Sequence, residues 1–258
     1  MRDIVEALER DPLRNIVLLK HLEAFPGHTR VHRFSGPAGT ATLVLLDAAA
    51  SAWDRRTYPT AEVVALIASD HPDLTRALLA FVPRGVGVVF KLSGAADHDV
   101  VAAAFPVERT TSVLSFTARS RFGRDEAVRV TMEPDDAVFA LFESQDHSRD
   151  WLAPLLASNR AFASVLERDS ESRSVCFAFE NYRRVWEVGG LVTPPAQRGR
   201  GFAARVVRTA LAELGERRLI ARYQAHDDNV ALIGLARSIG LDLFLTITHF
   251  LTPPCASG

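Results

Sequence analysis

A β-rich run, Arg184-Val-Trp-Glu-Val-Gly-Gly-Leu-Val-Thr193, stops at Pro194 and Pro195, turns through Gln197-Arg-Gly-Arg-Gly201 and enters a helix. No other stretch restricts the fold of this chain so tightly. Proline lacks the N–H that a central strand must donate, so the pair forces the chain out of the sheet into a loop. The helix that follows is well marked: Ala203, Val206, Val207, Ala210, Leu211 and Leu214 form one apolar stripe, and Gly215 is the expected stop. Leu219 to Gln224 then reads as a strand.

Strand, Gly/Arg loop and helix start in that order make an anion site. The first turn of a helix presents N–H groups that have no partner within the helix, together with a partial positive charge. Gly199 and Gly201 let the main chain come close to a ligand, and Arg198 and Arg200 can add charge-assisted hydrogen bonds to a pyrophosphate. Two familiar phosphate loops are excluded. No G-x-G-x-x-G opens a strand–helix–strand unit, and no G-x-x-x-x-G-K-[ST] occurs. Arg84-Gly85-Val86-Gly87 runs into the β-rich Val88 to Lys91 rather than a helix, and is read as a turn.

What the loop does satisfy is R/Q-x-x-G-x-G/A, through Arg198, Gly201 and Ala203. With the preceding strand, the Thr193-Pro-Pro-Ala-Gln connection and the later Asn229-Val-Ala231, Leu235 and Gly240-Leu241, residues from about 130 to 251 resemble the GNAT acetyltransferase superfamily. The resemblance implies a mixed α/β GNAT fold that binds acetyl-CoA (coenzyme A). The pyrophosphate would lie on Arg198, Gly199, Arg200, Gly201, Phe202, Ala203 and Ala204. Leu191, Val192 and Thr193 would offer main-chain groups to the pantetheine arm, much as an added strand does. Gly189 and Gly190 suit a bulge opening the acyl slot, or equally a tight packing contact. Asn229 would touch the cofactor or simply cap its helix.

The implied reaction moves an acetyl group to the amine of a small-molecule or amino-acid-like acceptor, so a proton must leave that amine. Glu187 stands where a subset of the family carries its glutamate base; the alternative is a strand carboxylate paired with Arg183, Arg184 or Arg222. Where many relatives place a tyrosine to protonate the departing thiolate, this chain has Ala236. Tyr223 is the substitute taken here, with Tyr182 and His226 as rivals. A non-catalytic acyl-CoA binder or sensor of the same fold is the competing reading.

The remaining sequence bounds these expectations. Thirty Lys and Arg against 31 Asp and Glu leave a formal charge of −1 over 258 residues, without the basic footprint of a nucleic-acid binder. Local basic spots at Arg198, Arg200, Arg205 and Arg208 suit a smaller anion. Cys176 and Cys255 form no C-x-x-C pair and read as free thiols in a reducing compartment, and no metal site is expected. No apolar run approaches the roughly 20 residues of a membrane helix, and the start of the chain does not read as a signal peptide, so a cytoplasmic protein with no membrane partner is expected. A homodimer is left open.

Upstream, two short helices broken at Pro12 precede alternating strands and helices. Polar residues 119–126 mark the expected boundary between an N-terminal domain, 1–125, and the acyl-CoA domain, 126–258. The first half resembles, more loosely, the degenerate GNAT-like domain of two-domain members. It carries no recognisable cofactor loop.

Overall fold

The structure is a computed structural model and describes residues 1–168 and 171–253; Cys255 lies outside the described residues. The described residues fold into two compact units, the first comprising Met1–Leu114 and the chain from Leu245 to Pro253, the second lying within Ser115–Phe244. In chain order the elements are α1 (Arg2–Leu8), α2 (Ile16–Ala24), β1 (Thr29–Gly36), β2 (Gly39–Asp47), α3 (Ala52–Thr57), β3 (Val63–Ser69), α4 (Pro72–Leu78), β4 (Val88–Leu92), α5 (Ala95–Ala104) and β5 (Glu108–Thr117). There follow β6 (Val128–Thr131), α6 (Asp136–Glu143), α7 (Arg149–Ala157), β7 (Ala161–Arg168), β8 (Glu171–Tyr182), β9 (Val185–Val192), α8 (Phe202–Glu216), β10 (Ile220–His226), α9 (Val230–Ser238) and β11 (Asp242–Leu251).

In the first unit β1, β2 and β3 run antiparallel, β3 and β4 pair in parallel, and the end of β11 pairs antiparallel with β4. One face of this sheet, with Leu43, Leu45, Ala65, Ile67, Phe90 and Leu92, packs against Leu78, Val100 and Val101 of α4 and α5. Lys91, between Phe90 and Leu92, points to the other face, as strand alternation requires. Its ammonium lies 2.7 Å from Asp54 of α3 and 5.0 Å from the Trp53 ring centre, with both charges buried.

In the second unit β6, β7, β8 and β9 run antiparallel and β9 pairs in parallel with β10. Thr117 at the end of β5 donates to the Ala221 carbonyl of β10 at 2.7 Å. Helices α6 and α7 cover one face through Val138, Phe142, Leu152 and Leu156, packed on Ala163, Val165, Val175 and Phe177. Helix α8 lies on the other, where Arg217 sits 4.8 Å over the Phe162 ring.

Several sequence expectations need correcting. Gly215 does not stop α8. The helix continues to Glu216 and closes on Arg218, which takes the left-handed conformation (φ 57°) while Leu219 N–H donates to the Leu214 carbonyl at 2.8 Å. A helix needs one left-handed residue to end this way, and here an arginine supplies it. The sequence also offers Asp227 and Asp228 as caps for the last helix, but Asn229 caps α9, its side chain accepting from Leu232 N–H at 3.1 Å. The β-rich runs Leu241 to Leu245 and Ile247 to Leu251, which read from the sequence as a pair of strands, form one strand, β11, and Ser51 starts a helix, α3, that periodicity did not show. The chain also changes unit inside β5 and returns inside β11, whereas sequence placed a single cut at 125/126. The polar stretch belongs to the second unit for a physical reason: Asp125 clamps Arg205 at 2.5 Å and takes Thr209 Oγ1 on its N–H, and Arg124 pairs with Glu213 and Glu216 of α8.

Candidate active site

Strand β9 carries the site because its two edges are treated differently. Against β8, the register steps from Val175–Val192 to Phe177–Gly189, so three residues of β9 are matched to two of β8. That is a β-bulge. Gly190 in it has φ 58°, and a Cβ there would stand 2.0 Å from the Phe177 ring, so bulge and tight packing occur at the same residue. Against β10, parallel pairing covers Val185 to Val188 with Ile220 to Tyr223, while β9 runs on to Val192 and β10 to His226. Leu191, Val192 and Thr193 thus lie beyond the paired part of the two strands. Two of their carbonyls are already engaged: Val192 accepts from Ser174 Oγ at 3.2 Å and Thr193 from Arg198 Nε at 3.1 Å.

The loop then delivers the helix. Gly199 and Gly201 have φ of 74° and 75° with open space around them, so these positions require glycine for backbone conformation and not for room. Gly201 is the N-cap of α8, no side chain caps the helix, and no acidic residue occupies its first turn, which contains Phe202, Ala203 and Ala204. The leading N–H groups of a 15-residue helix are left for an outside acceptor. Arg198 and Arg200 are exposed beside them. Arg205 is not available to an anion, because Asp125 holds it at 2.5 and 2.8 Å. These residues fit a diphosphate.

On the α6/α7 face lies a polar cluster. Glu187 is in register with Phe179 of β8 and Arg222 of β10, so all three side chains share that face. Its carboxylate accepts from Asn181 Nδ2 at 2.8 Å and Arg222 Nη1 at 3.1 Å. The Gln224 amide completes the set: its nitrogen, turned to the carboxylate, donates to both oxygens at 3.1 Å, and its carbonyl accepts from Arg222 Nη2 at 2.6 Å. That orientation follows from chemistry, since guanidinium can only donate and carboxylate only accept. Burial lowers Arg222 from the usual arginine range, and Glu187 opposes the shift. Of the partners foreseen for Glu187, Arg222 is the one found; Asn181 and Gln224 were missed, because only strand register brings them to it.

Tyr223 follows Arg222 and so faces the other side of the sheet, where its hydroxyl donates to the Leu232 carbonyl of α9 at 3.4 Å. Burial pushes its phenol up, so it keeps its proton. Ala236 is fully buried in α9. Glu187 and Tyr223 are therefore not brought together; they stand on opposite faces of adjacent strands.

Residues 126–241 match the sequence model of the acetyltransferase (GNAT) family, so this segment of the chain is a GNAT domain. Acyl transfer is the general chemistry of that family. Among solved structures it is similar to the GCN5-related N-acetyltransferases of Kribbella flavida (14% identity, TM-score 0.56, 93% of this chain and 96% of that one) and Sphaerobacter thermophilus (11%, 0.58, 92% and 85%). A tandem GNAT protein from the clavulanic acid biosynthesis pathway is similar too (9%, 0.50, 95% and 89%), in keeping with two units in one chain. At these identities the likeness is one of fold. No curated protein matches the chain in sequence.

Proposed function

We propose that this protein is an acetyl-CoA-dependent N-acetyltransferase acting on the amine of a small-molecule or amino-acid-like acceptor in the cytoplasm. The observation that carries this reading is the start of α8, a long helix with neither cap nor acidic residue, reached through two left-handed glycines flanked by Arg198 and Arg200. Acetyl-CoA would supply a thioester carbonyl open to attack by an amine. Main-chain groups of Leu191 to Thr193 would line its pantetheine arm and Asn229 would approach it at the start of α9. Glu187, oriented by three donors, would receive the proton the amine gives up. Tyr223, protonated and on the far face, would give one to the thiolate.

The test is calorimetric titration with coenzyme A. Wild type should bind, and Arg198→Glu with Arg200→Glu should weaken binding by on the order of 100-fold, as expected for two lost charge-assisted contacts. Unchanged affinity would sink the proposal. Ala236, a residue unable to donate a proton, favours a second reading, a non-catalytic acyl-CoA sensor. Release of free thiol from acetyl-CoA with any of a panel of amines excludes it.

A further inference from the structure

The α6/α7 face of the second unit holds, beside Glu187, a group of aromatic rings around Trp151. Trp151 of α7 is 42% exposed, though its ring centre stands 5.1 Å from Phe179 and 5.8 Å from Phe177. His147, in the turn between α6 and α7, closes the group 5.0 Å from Phe177 and 6.2 Å from Trp151. In this turn Asp146, a non-glycine residue, takes φ 61°, an uncommon conformation. Phe179 is directly opposite Glu187 in the strand register, so the rings and the carboxylate adjoin.

The indole, left partly in water and edge to face with Phe179, offers an apolar surface that a flat ring can cover. The Glu187 carboxylate at its margin, though paired with Arg222, keeps acceptor capacity on Oε1 for an amine N–H, and indole and phenyl faces attract an ammonium group. Burial holds His147 below the usual histidine range, against the opposing pull of Asp146 and Glu187, so it presents a neutral imidazole able to accept a hydrogen bond from N–H. Of the cations nearby, Arg222 is held by Glu187, and Arg149 pairs with Asp136 while stacking on Phe139.

From this juxtaposition we infer that the acceptor is a primary amine bearing an aromatic group, its ring lying on Trp151 and Phe179 and its nitrogen between His147 and Glu187. The inference rests on the acetyltransferase reading and adds the substrate class. Trp151 and Phe179 determine specificity; His147 orients the amine.

The experiment compares 2-phenylethylamine with n-butylamine as acceptors, following thiol release from acetyl-CoA. In the wild type KM for 2-phenylethylamine should be on the order of 10-fold lower, as expected for covering an aromatic surface. Trp151→Ala and Phe179→Ala should each erase most of that preference and leave the KM for acetyl-CoA within about twofold, which also shows that the unit is folded. Trp151→Phe should restore part of it. Equal KM values in the wild type, or variants that shift both amines alike, overturn the inference while leaving acetyl transfer standing. If no amine is acetylated, calorimetry of 2-phenylethylamine with the coenzyme A-saturated protein decides: binding weakened by Trp151→Ala supports the inference, and no binding overturns it. Failure to bind coenzyme A fells the underlying reading, and this inference with it.

Discussion

Each unit contains a parallel strand–helix–strand crossover, β3–α4–β4 in the first and β9–α8–β10 in the second, yet the two treat the helix start in opposite ways. Helix α4 is short, opens with Pro72, is capped by His71 and carries Asp73 in its first turn. Just before it, Asp70 accepts from Thr40 N–H at 2.7 Å and pairs with Arg14, which together hold its carboxyl below the usual range. Every group an anion would seek there is taken, and a negative charge stands nearby. Helix α8 starts bare. The strands differ likewise: β3 and β4 pair along the whole of β4, whereas β9 and β10 stop pairing at Val188 and Tyr223. One topology thus gives a closed, acid-fronted crossover or an open, base-fronted one, according to a few residues at the turn. Fold alone does not confer the site.

The two crossovers also share a buried ion pair, Lys91–Asp54 in one unit and Arg222–Glu187 in the other, and breaking these should have the largest effect. Lys91→Met and Arg222→Met each strand a buried carboxylate and should cost about 3–5 kcal/mol, read by denaturant unfolding with hydrogen exchange to locate the affected unit. A loss below about 1 kcal/mol in either would break the parallel. Next, Gly190→Ala should destabilise the second unit by about 2–4 kcal/mol, combining left-handed strain with overlap on Phe177. The same change at Gly199 meets open space and should cost only the backbone strain, about 1–2 kcal/mol.

Acid should separate the units. His21, buried in the first, has its imidazole lowered from 6.5 to about 3, by burial first and then by Lys91. The unfolded chain takes up that proton near its ordinary value and the folded chain does not, so stability falls as pH drops below 6.5 and levels off near 3. His21→Leu should flatten this slope in thermal melts from pH 7 to 4. The smallest effect is expected from Asn229→Ala, about 1 kcal/mol for a lost cap. A simultaneous drop in coenzyme A affinity would separate the cofactor role from the cap.

Much of this was legible beforehand because local rules govern it. Pro12 separates α1 from α2, Pro194 and Pro195 end β9, and the stripe from Val206 to Leu214 is the buried side of α8. Errors fell where a tertiary partner decides. Gly215 reads as a stop until Arg218 is seen closing the helix, and β11 reads as two strands until both are seen continuous through Thr246. The aromatic group around Trp151 left no signal, since its members come from α7, β8 and the turn at His147, and only packing makes them neighbours.

By itself the sequence determined the strand, the glycine-bearing turn after its prolines and the helix that follows, because prolines, glycines and apolar spacing act within a few residues of themselves. Tertiary structure alone decided that Glu187 is held by Asn181, Arg222 and Gln224, that Tyr223 faces away from it, and that Arg205 is spent on Asp125. The reason is register: which face a strand residue takes, and which residue lies opposite, depends on pairing between segments far apart in the chain, where a shift of one position exchanges every neighbour.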